Sequence, residues 1–266
     1  MRSLRDLMSL QGRVAIVTGG AGKIGEAFCE ALAELGATIC ILDIVSDAAA
    51  LHCERLRHRF GVQSAGFLVD VSREDSVQQA VTSVAERYGQ IDILINSAAY
   101  PPVSLPPDGR NLEAQNLQQW HANLEVMLTG CFLMTRACVP WLRRNGNGVI
   151  LNVGSIYGLI GPDLRLYEGT EMGNSAYYAA AKGGITQLTR YWATTLAPLV
   201  RVNCIAPGGI WRQQAELFHE RYRARTPLQR MAVEEDLKGT IVFFATDLSA
   251  YVTGQVLAVD GGWTAW

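Results

Sequence analysis

The sequence lacks three features that would each point to a class of protein. Its net charge is only −2 and it has no run of basic residues, so we predict no nucleic-acid partner. No stretch approaches the roughly 18 consecutive apolar residues of a membrane span. No apolar segment typical of a secretory signal precedes the first glycines. We therefore expect a cytoplasmic protein that does not associate with a membrane.

Cysteine is also scattered rather than paired. The chain has 6 cysteines, none of them in a Cys-x-x-Cys pair, and most lie within apolar runs. This distribution is typical of reduced thiols in a cytosolic core and disfavours a metal site. We predict that the protein binds no metal.

What the chain does contain is enough apolar sequence for one large α/β domain. It has 266 residues, 49% of them hydrophobic and 18% charged, a balance typical of globular proteins. Short β-rich runs alternate with longer runs that have apolar residues at helical spacing. The predicted strands are 13–17, 38–43, 64–70, 91–96, 148–153, 200–205 and 255–259.

The strands are almost continuously apolar, as a sheet buried on both faces requires. We therefore predict a doubly wound parallel sheet of the Rossmann type, with about seven strands and helices on both faces. A single domain is expected to span 1–266. The Pro-rich segment 100–111 follows a strand end, and we expect it to be a surface loop.

The first strand runs into the glycine-rich segment "TGGAGKIG" at 18–25. Gly20, Gly22 and Gly25 satisfy the Gly-x-Gly-x-x-Gly pattern, which lets a backbone approach a pyrophosphate at a helix N-terminus. Asp43 ends the second strand, 18 residues after Gly25. A carboxylate there binds the ribose hydroxyls of adenosine and repels a 2′-phosphate, so we predict NAD rather than NADP as cofactor.

The segment "SAYYAAAKGG" at 175–184 contains a tyrosine–lysine pair. Tyr178 lies 4 residues before Lys182, one helical turn away, whereas Tyr177 lies 5 residues before it. A free tyrosine has a pKa of about 10, and a nearby ammonium group lowers that value and makes the phenol a usable acid/base. Ser155 follows a strand end, where ligands bind in open α/β sheets.

These motifs together resemble the short-chain dehydrogenase/reductase family. "VDVS" at 69–72, "NSAA" at 96–99, "APGG" at 206–209 and "TGQVLAVDGGW" near the C-terminus extend the match over almost the whole chain. The resemblance implies that Tyr178 is the acid/base and that Lys182 binds the nicotinamide ribose and tunes Tyr178. It further implies that Ser155 orients the substrate oxygen.

The resemblance also implies the contacts made to the cofactor. Asp70 and Val71 would flank the adenine, Asn96 would stabilise the sheet beside the cofactor, and Pro207 would lie near the nicotinamide. The carboxamide would meet the backbone of Ile210. The complete predicted set is Gly19, Gly20, Gly22, Lys23, Ile24, Gly25, Asp43, Asp70, Val71, Asn96, Ala98, Tyr178, Lys182, Pro207, Gly208 and Ile210.

Two departures from the family pattern concern the cofactor and the proton. Lys23 stands where the family usually has a glycine, and Met127 stands where it commonly has an asparagine that holds a proton-relaying water. Methionine offers only a weak acceptor. Asn123, on the same helix face, is an alternative partner. We hypothesise that the relay runs differently or more slowly.

Two further departures concern the substrate. Ser155 and Tyr178 are 23 residues apart, about ten more than is usual in the family, and the extra loop is either part of the substrate site or a solvated surface feature. Arg212 replaces a common threonine and would pair with a substrate anion or with the loop. The predicted substrate contacts are Tyr157, Arg165, Tyr167 and Arg212.

The predicted function is NAD(H)-dependent hydride transfer to or from a secondary alcohol or ketone. A local resemblance to a subgroup linked to flagellin and cell-surface sugars suggests a nucleotide-linked sugar or nonulosonic acid as substrate. A 3-oxoacyl-type or simple ketone reductase is one alternative, and a catalytically weak NAD-binding sensor or assembly protein is another. By resemblance we expect a homotetramer or homodimer, with the apolar C-terminus reaching a partner's pocket.

Overall fold

Seven short apolar segments form one parallel sheet. The computed structural model describes residues 1–100 and 112–266, so the expected loop at 100–111 lies almost entirely outside the described residues. The strands are β1 (Val14–Thr18), β2 (Thr38–Asp43), β3 (Ser64–Leu68), β4 (Ile93–Asn96), β5 (Gly148–Val153), β6 (Val200–Pro207) and β7 (Val256–Val259). Every neighbouring pair is parallel, in the order β3-β2-β1-β4-β5-β6-β7. The predicted fold class is therefore confirmed.

Helices connect the strands and cover both faces of the sheet, as parallel connections require. They are α1 (Leu4–Met8), α2 (Lys23–Glu34), α3 (Ser46–Phe60), α4 (Glu74–Tyr88), α5 (Leu117–Leu124), α6 (Gly130–Leu142), α7 (Ala176–Thr195), α8 (Glu216–Arg225) and α9 (Glu235–Ala245). Gly61 and Gly89 end α3 and α4 in the left-handed conformation that favours glycine.

Two buried clusters hold these layers together. On one face, α4, α6 and α7 supply Val81, Met134 and Ile185 to the core. On the other, α2 and α9 supply Phe28 and Phe244, which are at most 2% exposed. All six cysteines are buried and unpaired, which matches the expectation of core thiols.

The sheet order places a binding crevice at one edge. After β1 the chain continues to β2 on one side, whereas β4 is followed by β5 on the other. Loops leaving the carboxyl ends of β1 and β4 therefore diverge, and a crevice opens between them. The glycine-rich segment and the loop after Asn96 lie at this position.

One long helical segment joins α5 to α6 through a single π-helical turn, Glu125–Thr129. It is long and apolar enough to cross a membrane by length and composition alone, the only such case within 1–100 and 112–266. Met134 and Cys138 on this helix are fully buried against the sheet. A core helix of a soluble protein passes the same test, so the segment is weak evidence for a span.

Candidate active site

The glycine-rich loop is shaped by two close backbone contacts. Gly19 has a φ of +63°, and a Cβ there would lie 2.9 Å from the Cα of Ala98. A Cβ on Gly25 would lie 2.7 Å from the Cα of Gly20. Lys23, in contrast, opens α2 as an exposed residue, so a side chain is tolerated where the family usually has glycine.

This loop lines a groove of about 870 Å³ at the crevice. The N-cap of α2 is Gly22, which has no side chain to accept a hydrogen bond from the first N–H groups of the helix. Free N–H groups at a helix N-terminus favour an anion such as a pyrophosphate. The described predicted residues that line the groove are Gly19, Gly22, Lys23, Ile24, Gly25, Asp43, Asp70, Val71 and Ala98.

Asp43 lines the groove and is held by backbone hydrogen bonds. Its two carboxylate oxygens accept hydrogen bonds from the backbone N–H groups of Ala21 and Val45, each at 3.0 Å. The carboxylate is thereby fixed between the glycine-rich loop and the end of β2. The next two residues, Ile44 and Val45, are exposed and uncharged, so they provide no cation for a 2′-phosphate.

Asp70 is held in place within this lining, whereas two other predicted residues, Gly20 and Asn96, are not among the described residues that line the groove. Asp70 accepts hydrogen bonds from the backbone and hydroxyl of Ser72, and this fixes the turn after β3. Gly20 packs below the loop against Ile41. Asn96 is buried, and its amide donates to Asn152 on β5 at 2.9 Å, so it joins neighbouring strands rather than lining the groove.

The predicted acid/base group and its partners meet in a second cavity of about 400 Å³, next to the groove. Ser155, Tyr178 and Lys182 all line it, together with Pro207, Gly208 and Ile210. Lys182 is 4% exposed, and its ammonium lies 5.8 Å from the centre of the Tyr178 ring. It donates to the carbonyl of Val153 at 2.8 Å.

The Ser155 side chain is oriented by a hydrogen bond within the turn that it begins. The backbone N–H of Tyr157 donates to the Ser155 hydroxyl oxygen at 3.2 Å, which leaves the hydroxyl proton available for another acceptor. Tyr177 is buried and also lines the cavity. The serine, tyrosine and lysine predicted from the sequence are thus brought together in one site.

Met127 lies on the π-helical turn behind this site and is 2% exposed. It adjoins a void of about 10 Å³ that Asn96 also lines. Asn123, the alternative partner, lines the catalytic cavity, but its amide donates to the carbonyl of Gln119 at 2.8 Å in its own helix. The hypothesis of an altered relay stays a prediction.

The extra loop between Ser155 and Tyr178 forms one wall of the cavity. Tyr157 and Tyr167 line it, and their hydroxyl oxygens lie 2.8 Å apart. Asp163 pairs with Arg225 of α8 at 2.6 Å. The ring of Tyr167 lies 5.3 Å from that of Phe218, also on α8.

The two arginines predicted to contact substrate have other partners. Arg165 is exposed, pairs with Asp163 at 2.8 Å and does not line the cavity. Arg212 lines both the cavity and the groove, but it pairs with Glu234 at 2.7 Å rather than with the extra loop. The structure thus brings Arg212 to the site and leaves Arg165 outside it.

Sequence motifs did not identify Phe218 and Tyr222, two aromatic residues that line the cavity and that we call the aromatic roof. Tyr222 lies between Phe218 and Trp263, and it stacks on Trp263 at 4.3 Å. Its hydroxyl accepts a hydrogen bond from the backbone N–H of Gly209 at 2.5 Å. Trp263 is 1% exposed and packs within its own chain, whereas Trp266 is 76% exposed. Only the final residues are therefore free to reach a partner.

Burial keeps the tyrosines around Tyr178 protonated. It raises the pKa of Tyr157 well above the ordinary value, raises that of Tyr167, and raises that of Tyr222 to about 12. All three tyrosines line the same cavity as Tyr178. At neutral pH the three phenols are hydrogen-bonding groups, not bases.

Comparison with known proteins assigns the chain to a family. A family model described as enoyl-(acyl carrier protein) reductase matches residues 19–264. The 3-oxoacyl-[acyl-carrier-protein] reductase FabG of Thermotoga maritima is 34% identical over 263 residues, which cover 96% of this chain and 99% of the relative. The chain belongs to the short-chain dehydrogenase/reductase family. It is an oxidoreductase that interconverts CH–OH and C=O groups with a nicotinamide cofactor.

Two further members of the short-chain dehydrogenase/reductase family extend the comparison. The post-translational flagellin modification protein A of Campylobacter coli is 31% identical over 255 residues, 96% of this chain and 99% of the relative. A crystal structure of a gluconate 5-dehydrogenase from Burkholderia cenocepacia, in complex with NADP and tartrate, superposes with a TM-score of 0.88. It is 30% identical and covers 99% of this chain and 100% of its own.

Clustered metal ligands are not found in the part of the chain that the structure describes. Within 1–100 and 112–266, no group of three or more histidine, cysteine, aspartate or glutamate side chains is placed to hold a metal ion. That the protein binds no metal stays a prediction.

Proposed function

We propose that the whole chain, 1–266, acts as one NAD(H)-dependent dehydrogenase/reductase on a small secondary alcohol or its ketone. The observation that carries this proposal is the adjacency of two sites. The groove that Asp43 lines adjoins the cavity that holds Ser155, Tyr178 and Lys182, and Arg212 lines both. A bound nicotinamide would accept or supply the hydride.

The residues of the groove fit an NAD molecule. The open N-terminus of α2 suits a pyrophosphate, and Asp43 suits the adenosine ribose hydroxyls. Lys23 and Arg212 are the cations of the described groove lining, and Arg212 is already paired with Glu234. A 2′-phosphate beside Asp43 would therefore be repelled more than it would be bound.

Residues of the chain itself can transfer the proton that leaves or joins the substrate oxygen. Tyr178 takes the proton from the substrate hydroxyl in the oxidative direction and returns it to the oxygen in the reductive direction. The Lys182 ammonium lies 5.8 Å from the centre of the Tyr178 ring, so a positive charge sits beside the acid/base group. Ser155 can donate its free hydroxyl proton to the substrate oxygen, since the Tyr157 N–H already binds the serine oxygen.

The size of the cavity favours a small substrate. A volume of about 400 Å³ lies near the lower end of the range for small-molecule sites. It suits a sugar ring or a nonulosonic acid better than a complete nucleotide-linked sugar, whose diphosphate would lie outside. The 31% identity to a flagellin modification protein agrees with the sugar class that the sequence resemblance suggests.

Reduction of a 3-oxoacyl compound is the second candidate. It is supported by the 34% identity to the Thermotoga maritima reductase and by the aromatic roof of Phe218 and Tyr222. The sensor alternative depended on Met127 alone, and the intact grouping of Ser155, Tyr178 and Lys182 weighs against it.

The proposal is tested by measuring both cofactor preference and turnover. Fluorescence titration of the purified protein should give a dissociation constant for NADH at least about tenfold lower than that for NADPH, and Asp43→Ala should reduce this ratio. Tighter binding of NADPH would contradict the NAD assignment. Sugars, a nonulosonic acid and a 3-oxoacyl thioester are then compared by kcat/KM at neutral pH, and a preference for the thioester would favour the second candidate.

A further inference from the structure

One wall of the catalytic cavity carries polar groups that the hydride-transfer reaction does not use. We call the four residues Tyr157, Tyr167, Asn174 and Ser175 the polar corner; all four line the cavity. Asn174 is 8% exposed and Ser175 is 2% exposed. The Asn174 Oδ1 and the Ser175 Oγ have no hydrogen-bond partner in the described structure. Unpaired buried polar atoms are costly, so their retention beside a cavity points to a ligand.

Ser175 does not make the hydrogen bond that is usual for a serine in its position. A serine immediately before a helix normally accepts a hydrogen bond from the first turn of that helix. Ser175 precedes α7 but makes no such bond. The backbone N–H of Ala176, the first residue of α7, donates to the side chain of Gln115 at 2.9 Å. The serine hydroxyl has no partner in the described structure, three residues before Tyr178.

The other three members of the corner are held in place by one another. The hydroxyl oxygens of Tyr157 and Tyr167 lie 2.8 Å apart, and either can be the donor. The side chain of Asn174 hydrogen-bonds to the Tyr167 hydroxyl, which leaves its Oδ1 for another donor. These contacts fix the direction of the remaining hydrogen-bonding atoms before any substrate binds.

The charge around the corner selects the kind of group that it can bind. No acidic side chain lines the described part of the cavity, and its cations are Lys182 and Arg212. Arg212 is paired with Glu234, and Lys182 lies at the acid/base group. An acceptor such as the Asn174 Oδ1 repels a carboxylate, whereas a hydroxyl group both donates and accepts.

We propose that the polar corner binds a second hydroxyl group of the substrate, so that the enzyme prefers diols and polyols to simple secondary alcohols. The reacting hydroxyl lies at Ser155 and Tyr178, and the second hydroxyl lies against Asn174 and Ser175. This inference rests on the proposed function, because it assigns a further group to the substrate of the same site.

The test compares substrates that differ by one hydroxyl. Cyclohexanol, the isomers of 1,2- and 1,4-cyclohexanediol and 4-hydroxycyclohexanecarboxylate are assayed with NAD⁺. A site built to hydrogen-bond a hydroxyl strongly rejects an analogue that lacks it. We expect kcat/KM to be at least about tenfold higher for the best diol than for cyclohexanol and for the carboxylate.

Binding is measured in parallel so that the result does not depend on turnover. The same compounds are titrated into the enzyme–NADH complex and followed by calorimetry. We expect the best diol to bind at least about tenfold more tightly than cyclohexanol. Equal binding of the diol and cyclohexanol, including no measurable binding of either, would overturn the corner as a hydroxyl subsite.

Single substitutions assign the preference to the corner. Ser175→Ala and Asn174→Leu should each bring the diol-to-cyclohexanol ratio of kcat/KM and of affinity close to one. Ser64→Ala is the matched control, because Ser64 is a buried serine, 3% exposed, whose hydroxyl donates to Cys53 outside the cavity. It should leave the ratio unchanged. A ratio that persists in both corner variants would contradict the proposal.

Failure of the proposed function has a different signature. If the protein binds neither NADH nor NADPH, or turns over no alcohol or ketone, dehydrogenase activity itself is in question. If it oxidises mono-alcohols and diols equally well, the proposed activity stands and only the hydroxyl subsite is lost. A preference for the carboxylate would replace the neutral subsite with an anionic one and would overturn the proposal.

Discussion

The cofactor groove and the substrate cavity lie side by side but are built in different ways. The groove is shaped mainly by backbone: Gly19 and Gly25 pack where no Cβ fits, and Asp43 is fixed by two backbone N–H groups. The wall of the cavity that the extra loop between Ser155 and Tyr178 forms is instead built from side chains. Tyr167 packs on Phe218, and Asp163 pairs with Arg225, 62 residues further along the chain.

This difference affects how each site tolerates change. We call the part of the groove that Gly19 and Gly25 shape the backbone cradle. It depends on a few glycines close together in sequence, so one added methyl group disturbs it. A wall of side chains from two separate segments can be weakened gradually, one contact at a time. We therefore expect substitutions in the groove to affect the cofactor strongly, and those in the wall to affect the substrate moderately.

The largest effect is expected where the two sites meet. Tyr178→Phe removes the acid/base hydroxyl and should lower kcat by about a thousandfold, since general acid–base catalysis contributes about 10²–10⁴. Steady-state kinetics measures the loss, and fluorescence titration should show that NADH still binds. Tyr177→Phe is the matched control, because Tyr177 lines the same cavity, and its effect should stay below about tenfold. Equal losses in the two variants would contradict the assignment of Tyr178.

A second substitution breaks the backbone cradle. A methyl group at Gly25 would lie 2.7 Å from the Cα of Gly20, so Gly25→Ala must shift the loop. We expect the dissociation constant for NADH to rise by about a hundredfold, which corresponds to about 3 kcal/mol. Gly239→Ala is the control: a Cβ at Gly239 meets nothing within 4 Å, and this glycine lies in α9. Its NADH affinity should not change.

The third substitution weakens the wall without touching the cradle. Asp163→Asn keeps the shape of the side chain but removes its ion pairs with Arg165 and Arg225. The expected cost is about 1 kcal/mol, or about a fivefold rise in KM. NADH affinity should change less than about twofold. The control is Asp75→Asn, which breaks an exposed ion pair between Asp75 and Arg73 at the start of α4. It should leave both KM and NADH affinity unchanged.

The same contact predicts a pH dependence. Hydrogen bonding from Arg165 holds the pKa of the Asp163 carboxyl below its ordinary value of 3.8. A carboxyl with a lowered folded-state pKa contributes stability that is complete above its unfolded pKa and is lost as the pH falls through the folded one. Protonation of Asp163 weakens the same ion pairs that Asp163→Asn removes. The KM of the wild type should therefore resemble that of Asp163→Asn only below about pH 4. Convergence of the two near neutral pH would exclude this role.

The contrast between the two sites also explains what the sequence could predict. The seven strands were recognisable because a sheet buried on both faces requires nearly continuous apolar runs. The groove and the Tyr178–Lys182 pair were recognisable because their geometry depends on short, fixed spacings. The family assignment and the fold class are both confirmed.

The substrate wall was less predictable because its contacts join distant segments. Tyr157 and Tyr167 do line the cavity, but Arg165 faces solvent, and Arg212 pairs with Glu234, a residue no motif pointed to. Phe218, Tyr222 and Trp263 lack a characteristic spacing. The unpaired hydroxyl of Ser175 could not be predicted, because a serine before a helix normally caps it, and Ser175 makes no such bond.

The smallest expected effect concerns Met127, behind the catalytic lysine. Met127→Asn would restore the residue common in the family and place an amide beside the small void that Asn96 lines. The Asn96 Oδ1 has no partner in the described structure, so it offers an acceptor for the new amide. If Met127 slows the proton relay, kcat should rise by up to about threefold.

The cost of that change appears in a different measurement. Burying an amide in place of an apolar side chain costs about 1–3 kcal/mol where its hydrogen bonds are incomplete, so the melting temperature should fall by a few degrees. Met134→Gln is the control, since Met134 is fully buried in the same helical segment but away from the cavity. It should lower the melting temperature without raising kcat. A clear fall in kcat for Met127→Asn would instead show that the enzyme has adapted to methionine at this position.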